Sequence, residues 1–557
     1  MQGARVHGAA PPGTPVIVDL LGDARHLLAR AGTEARFAAT VLHARGPAVA
    51  LTPPRKLLAG ARAVEAYGPA GAAVALAAAA TPRAVAISDE RGAITFGELD
   101  ARTNQFANAL RDKGFRPGDS LGILARNHRG LFLAILAGAR LGARTLLLNT
   151  DFAGPQLSDV CAREQVTLLV HDAEFADAVA AYEPPLGTVV AWTDGPTADE
   201  TVDSLCAGAS DRPPPRPGRR QRIVLLTSGT TGTPKGAPRE LALSLVIPGG
   251  YLSKIPLRSG RPVLLAAPAF HAWGLLSSML ALGLGNTLVM SRRFDPAQTL
   301  DELARTHCDA LITVPVLLSR LLADAADVAR HDLSALRVVA VSGSALSPEL
   351  AARAMDLLGE ILYNLYGSTE VAYASIATPR DLRAAPGTVG RPPFGTTVRL
   401  LDDEGAEVPA GHTGRIFVGS SIAFEGYTGG GSKQTVAGLM ATGDIGHVDA
   451  AGRLFVDGRD DDMIVSGGEN VFPLEIEQLL TSHPGVTDAA VVGVPDPDFG
   501  TRLRAFVVRE PGAGVDEGAI KEFVRANLAR YKVPREVVFL DELPCNPAGK
   551  VVKRLLR

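Results

Sequence analysis

One stretch constrains this chain more than any other: Leu226-Thr227-Ser228-Gly229-Thr230-Thr231-Gly232-Thr233-Pro234-Lys235-Gly236. It leaves an apolar run, Arg222 to Leu226, that reads as a strand, and it ends in one lysine. Glycines let the backbone turn its N–H groups inward, the threonines and Ser228 add donors, and Lys235 adds a full charge. Such a loop suits a polyphosphate. It is not the Gly-x4-Gly-Lys loop that opens a helix, because Pro234 precedes Lys235 and pushes Thr233 away from helical angles. The segment is expected to stay a loop. A Ser/Thr/Gly connector has a similar composition, but a connector has no reason to follow a strand directly or to place a lone lysine after proline.

The flanks of the loop carry an α/β pattern. From Ile94-Thr95-Phe96 to about residue 192 short apolar strands at Ser120 to Ala125, Thr145 to Leu148, Val166 to Val170 and Thr188 to Trp192 alternate with helical stretches such as His128 to Leu141, which predicts a parallel sheet. Gly118-Asp119-Ser120-Leu121-Gly122 matches the hydrolase G-x-S-x-G pattern. A turn precedes it and a strand follows, the reverse of a nucleophile elbow, so Ser120 is not expected to be catalytic. Residues 209–220 read as a Pro/Arg connector. Strands at Arg261 to Ala267, Asn286 to Met290, Ala310 to Val314 and Val338 to Val341 then predict a second α/β layer. From Gly387 the pattern turns to hairpins, at Thr397 to Leu401, Arg415 to Gly419 and 443–457. Beyond Arg459 follow an acidic turn, a helix from Pro473 to Leu480, strands at 489–493 and 504–508, and a helix from Asp516 to Leu528.

A chain of 557 residues is too long for one core. The expected fold is α/β: a large N-terminal domain of two α/β layers plus an antiparallel β section, then a small, mobile C-terminal α+β domain. Boundaries are set at 1–60 for an accessory helical segment, 61–459 for the large domain and 460–557 for the small one, hinged at 460–462. In the accessory segment Leu20, Leu21, Ala24, Leu27, Leu28 and Ala31 share a helix face, and Phe37 and Val41 suggest a second helix. Arg25, Arg30 and Arg36 permit peripheral membrane contact, but a solvated face is the favoured reading.

A net charge of −3 provides no global field for nucleic acid, so none is expected as a partner. Eleven histidines never share a helical turn, which excludes an HExxH metal site. Four cysteines without a CxxC pair fit a reducing cytosol. No leader pattern opens the chain and no apolar run reaches the roughly 18 to 20 residues of a membrane span. The expected location is the cytoplasm; the oligomeric state is left open.

The loop resembles the phosphate-binding loop of the adenylate-forming superfamily of acyl-CoA synthetases, luciferases and adenylation domains. Further motifs follow in the family's order over residues 90–557. Gly343-Ser344-Ala345 and Asn364-Leu365-Tyr366-Gly367-Ser368-Thr369-Glu370 resemble the adenine pocket, Thr442-Gly443-Asp444 the ribose site with Arg459 beside it, and Lys550 in Asn546-Pro547-Ala548-Gly549-Lys550 the mobile lysine. The resemblance implies ATP held by Thr227, Ser228, Gly229, Thr230, Thr231, Gly232 and Lys235. It also implies a phosphate contact from Thr369, Mg²⁺ on Glu370, a hinge at Asp461 and Lys550 bridging the acyl oxygen and the α-phosphate.

Pro268-Ala269-Phe270-His271-Ala272-Trp273-Gly274 bears on the substrate. Amino-acid-activating relatives supply an aspartate there; here an α-amino acid would leave its ammonium unpaired. His271 stands at the position of the synthetase aromatic that closes the acyl pocket, with Phe270, Trp273 and Gly274 around it, implying a hydrophobic and in particular a fatty acid. Ser466-Gly467-Gly468 resembles the segment that the pantetheine arm passes. Only seven residues follow Lys550, which favours free coenzyme A as acceptor. Gly414-Arg415, Thr501-Arg502 and Met440 depart from the family pattern near the CoA entrance. The implied enzyme is an AMP-forming acyl-CoA synthetase. Its rivals are an acyl-AMP ligase loading a separate carrier protein and a non-catalytic nucleotide- or acyl-binding relative.

Overall fold

The computed structural model describes residues 39–40, 43–44, 54–227, 235–239, 246–419, 426–428, 430, 432–460, 464–466, 469–496, 500–528, 532–546 and 549–556. Among these residues the strands form sheets of eight, six, five, three and two.

The six-stranded sheet runs in the order Thr188–Trp192, Val166–Asp172, Ser120–Leu124, Arg144–Leu147, Arg222–Thr227, Lys235–Arg239. All its pairs are parallel except the last, a hairpin at the sheet edge. Its central strands are buried on both faces, as a parallel sheet covered by helices requires. Helix Arg129–Leu141 packs on it. His128 caps that helix by accepting the Gly130 amide, and Gly142 ends it in left-handed geometry. The connector at 209–220 is strapped to helix Phe96–Asp112, where Asn108 donates to the Ser210 and Arg212 carbonyls and Asn104 to that of Asp211.

The eight-stranded sheet holds Ser375–Ala377, Leu362–Tyr366, Val338–Val341, Ala310–Thr313, Pro262–Leu265, Thr287–Val289, Val85–Asp89 and Gly92–Thr95, in that order. Here the structure departs from the expected layering. Ile94 and Thr95, where the first alternating stretch begins, belong to this second sheet, entering it where Val85–Asp89 pairs in parallel with Thr287–Val289. Periodicity identifies a strand but not its partner, and this partner lies some two hundred residues downstream. Phe96 opens the next helix, because Thr95 and Glu98 form a reciprocal capping box.

Thr397–Leu401, Gly414–Gly419, Thr435–Val436, Leu439–Val448 and Leu454–Arg459 form the antiparallel third section. The C-terminal unit has its own core: helices Pro473–Thr481 and Glu517–Asn527 cover the sheet of Val486–Asp496, Gly500–Arg509 and Glu536–Leu540, burying Ile476, Leu480, Val491, Val507, Ile520 and Val524. The expected boundary at residue 60 falls inside helix Pro54–Ala80, which is interrupted at Gly68. Residues 39–40 and 43–44 are helical; the face predicted from Leu20 to Ala31 lies outside the described residues. Among the described residues no helix is long and apolar enough to cross a membrane.

Candidate active site

Strand Arg222–Thr227 pairs antiparallel with Lys235–Arg239, Thr227 opposite Lys235 and Leu226 opposite Gly236. The two ends of the polyphosphate loop are therefore held side by side, and the chain after Pro234 continues as a strand rather than a helix. Ser228, Gly229, Thr230, Thr231 and Gly232 lie outside the described residues.

Asp444 sits on strand Leu439–Val448 opposite Arg459 on Leu454–Arg459. Its Oδ2 accepts the Tyr366 hydroxyl at 2.5 Å, and Arg459 Nη1 stands 3.4 Å from Oδ1. Tyr366 comes from the end of strand Leu362–Tyr366 in the eight-stranded sheet, so the contact joins two sheets. Burial raises the Asp444 carboxyl above its ordinary value, against the Tyr366 hydrogen bond and the charges of Arg459, Lys550 and Lys433. Buried Asn364 lies in the same strand as Tyr366. The Gly343-Ser344-Ala345 turn follows Val338–Val341, one strand over.

Gly367 and Thr369 lead into Glu370, whose side chain is buried and whose Oε1 accepts the Tyr427 hydroxyl at 2.5 Å. Burial, together with the neighbouring Glu370 carboxylate, pushes the Tyr427 phenol well above its ordinary value, so it stays a donor.

Lys550 reaches this region from the C-terminal unit. Asn546 folds the turn before it: its amide donates to the Lys550 carbonyl at 2.9 Å, and its Oδ1 accepts the Lys550 amide at 2.9 Å. At the tip, Gly549 has φ +74, and a Cβ there would stand 2.3 Å from Val316 Cγ1. Only glycine satisfies both demands. The tip thus packs on the large domain at Val316, at the start of helix Pro315–Leu321.

On the other side, His271 precedes helix Ala272–Gly283. Its ring lies 4.5 Å from that of Phe270, and its Nε2 is enclosed with no hydrogen-bond partner among the described residues. Burial alone lowers its pKa to about 4, so the imidazole is neutral at neutral pH. Trp273 donates to the Thr313 carbonyl at 2.8 Å and stacks on Tyr251, while a Cβ on Gly274 would stand 2.3 Å from the Pro268 carbonyl oxygen. Buried Asn127 pins the segment before His271, donating to the Ala267 carbonyl and accepting the Ala269 amide.

Tyr427 and Thr428 thus link Glu370 to the exit of the Thr227–Lys235 hairpin, and Tyr366, Asp444 and Arg459 meet where two sheets adjoin. Residues 74–428 match the family model of the AMP-binding enzyme, and residues 475–550 match that of the AMP-binding enzyme C-terminal domain. This chain belongs to the AMP-binding enzymes. It is 34% identical to a feruloyl-CoA synthase of an Amycolatopsis species over 86% of this chain and 96% of that protein. It is 33% identical to an indoleacetate–CoA ligase of Aromatoleum aromaticum over 83% of this chain and 92% of the relative. Among solved structures, ATP-bound MatB from Rhodopseudomonas palustris superposes with a TM-score of 0.77 at 30% identity, covering 86% of this chain and 96% of that one. The chain lies in the acyl-CoA synthetase branch of the adenylate-forming superfamily, as an AMP-forming acid–thiol ligase that uses ATP and coenzyme A.

Within this AMP-binding enzyme, several polar groups at the site escaped the sequence reading. Tyr427 and Thr428 carry no pattern of their own; only their distance in space from Glu370 and Gly236 marks them. Lys433, whose Nζ stands 3.4 Å from the Thr442 carbonyl, sits in a polar loop that reads as solvated. Arg415, noted as a departure, pairs with Asp460 at 3.1 Å and with Gln434. Ser466 lies in strand Ile464–Ser466 opposite Glu469. Asp461, Gly467 and Gly468 lie outside the described residues. Ser120 of the rejected serine pattern donates to the Glu164 carbonyl at 3.0 Å, a structural bond.

Proposed function

We propose that this ligase activates a hydrophobic carboxylic acid, of the fatty class, as its acyl adenylate and then passes the acyl group to the CoA thiol. The observation that carries the reading is the Asn546–Lys550 turn of the C-terminal unit, whose tip at Gly549 packs against Val316 of the large domain and so brings Lys550 to that domain. A carboxylate is a poor electrophile; attack on the α-phosphate of ATP gives it a good leaving group. In this reading Lys550 offsets the negative charge that grows between the acyl oxygen and the α-phosphate. Asp444 accepts the ribose hydroxyls, with Tyr366 and Arg459 holding its carboxylate, and Tyr366 offers the adenine a stacking face beside Gly343, Ser344, Ala345, Asn364 and Gly367. Thr369 meets phosphate, as do the loop residues from Thr227 to Lys235.

Glu370 fits a Mg²⁺ site: it is a buried carboxylate with one oxygen engaged by Tyr427, and magnesium takes one or two protein carboxylates plus substrate phosphates. When bound, the ion supplies further neutralisation of phosphate charge. Rotation at Asp461 then withdraws Lys550 and presents Ser466, Gly467 and Gly468 to the pantetheine arm. The four cysteines are free thiols, in keeping with a cytoplasmic enzyme.

A second reading, an aryl-substituted acid, is favoured by the feruloyl and indoleacetate relatives and by the aromatic rings of Phe270 and Trp273 beside His271. A panel of fatty acids of graded length and of aryl acids, each incubated with ATP and free CoA, separates the readings. Equal yields of AMP and acyl-CoA are expected, and the preferred acid names the class. AMP release without acyl-CoA would point instead to loading of a carrier protein. No AMP from any acid would point to a non-catalytic relative.

A further inference from the structure

Glu164 caps helix Gly154–Arg163, and its side chain is 1% exposed. Arg144 and Arg163 both pair with its carboxylate. Arg144 also donates to the Glu164 carbonyl at 2.8 Å and to Ser120 Oγ at 3.2 Å, so the carboxylate is anchored in the middle of the six-stranded sheet. Burial works to raise the carboxyl, but the Thr428 and Arg144 hydrogen bonds, the Arg144 charge and the Arg163 bond outweigh it and hold it below its ordinary value. A buried ion pair of this kind is weak support for stability by itself. Its position suggests other work.

The remaining partner of Glu164 comes from far along the chain. Thr428 Oγ1 donates to Glu164 Oε1 at 2.5 Å and accepts the Gly236 amide at 3.0 Å, while the Thr428 amide donates to the Gly236 carbonyl at 2.8 Å. The Gly236 carbonyl also stands 3.3 Å from Thr428 Oγ1, but the one hydroxyl proton goes to the nearer Glu164 carboxylate while a lone pair takes the Gly236 amide. Gly236 immediately follows Lys235 at the exit of the phosphate hairpin. The approach is close: a Cβ on Gly236 would stand 2.6 Å from Thr428 Oγ1 and 3.0 Å from Glu164 Oε1. The neighbouring Tyr427 holds Glu370. Two adjacent residues therefore tie the hairpin exit and the Glu370 carboxylate to one buried anion.

We propose that Glu164 and Thr428 are positioning residues for ATP: through Thr428 the enclosed carboxylate fixes the backbone at Gly236, and with it the exit of the hairpin that carries Lys235, in register with Glu370. Neither side chain needs to touch the nucleotide. The inference rests on the proposed reading that this hairpin grips the ATP phosphates.

The test is calorimetric titration of Mg·ATP into wild type, Thr428→Val and Thr428→Ser, with ATP–pyrophosphate exchange and conversion of supplied acyl adenylate by CoA measured beside it. Valine keeps the shape of threonine and removes the hydroxyl; serine returns the hydroxyl. Losing that bond is expected to weaken ATP binding about tenfold. The exchange KM for ATP should rise in step, with the KM for the acid and the conversion of acyl adenylate within twofold of wild type. Thr428→Ser should restore ATP binding to within threefold. Glu164→Gln should weaken ATP in the same direction, and Glu164→Gln combined with Thr428→Val should be no weaker than Thr428→Val alone by more than twofold, since both act through one link. Wild-type ATP affinity in Thr428→Val overturns the proposal. So does an equal fall of both half-reactions with no rescue by serine, which marks a folding defect. A wild-type protein that binds ATP but exchanges no pyrophosphate with any acid would sink the proposed function while leaving this link standing.

Discussion

The two ends of the site are built on opposite principles. At the proposed nucleotide end three carboxylates already have partners from the chain: partly buried Asp444 has Tyr366 and Arg459, buried Glu370 has Tyr427, and buried Glu164 has Thr428 and two arginines. At the proposed acyl end the enclosed Nε2 of His271 has no hydrogen-bond partner among the described residues. A buried polar atom without a partner costs free energy, and native structures keep few of them. On the proposed reading, the difference teaches that the half that would receive ATP is finished before it binds, whereas the half that would receive the acid keeps one group waiting.

Removing charge from the finished end should have the largest effect. Asp444→Asn keeps the shape and one acceptor but loses the anion that faces Arg459. With charge-assisted hydrogen bonds worth about 1.5–3 kcal/mol, the KM for ATP should rise on the order of 10- to 100-fold, read by pyrophosphate exchange. A change below threefold would show that the prebuilt carboxylate is not where ribose binds, and the contrast would lose one side.

The waiting end predicts a pH effect. The folded His271 pKa of about 4 lies below the ordinary 6.5, so between those values the unfolded chain binds more protons. Stability from this group is complete above pH 6.5 and is lost as pH falls toward 4. The shift from 6.5 to about 4 bounds that contribution at about 3 kcal/mol. Urea unfolding of wild type and His271→Phe at pH 7.5 and 4.5 should show a smaller pH-dependent loss in the variant. Equal losses would show that His271 is solvated and not held waiting.

The smallest effect sharpens the same end. Trp273→Phe removes the bond to the Thr313 carbonyl and should lower stability by about 1 kcal/mol, seen as a lower urea midpoint with an unchanged slope. An unchanged midpoint would mean that this wall of the acyl end carries no strain from a lost polar contact.

What the sequence revealed follows from the same contrast. Strands such as Thr188–Trp192 and Val338–Val341, and helices such as Arg129–Leu141, were legible because periodicity and caps are local. Asp444, Glu370 and Lys550 were legible because each sits in a motif. The sheet membership of Val85–Thr95 was not, since its partner strand Thr287–Val289 is remote in sequence. Thr428, Tyr427, Asn127 and Lys433 were equally hidden: each is an ordinary residue whose role comes from a contact 57 or more residues away, or from a loop that reads as solvated. His271 was picked out, but that its Nε2 is enclosed without a partner among the described residues became visible only in the folded chain.

The central claim is that a lysine on the C-terminal unit serves the nucleotide site in one half-reaction and leaves it for the other. Lys550→Ala, assayed for ATP–pyrophosphate exchange and, separately, for conversion of supplied acyl adenylate by CoA, tests this most directly. The expected result is a fall in exchange on the order of 10²- to 10³-fold, with thioester formation within a few-fold of wild type. Equal loss of both half-reactions, or exchange at the wild-type rate, would contradict it.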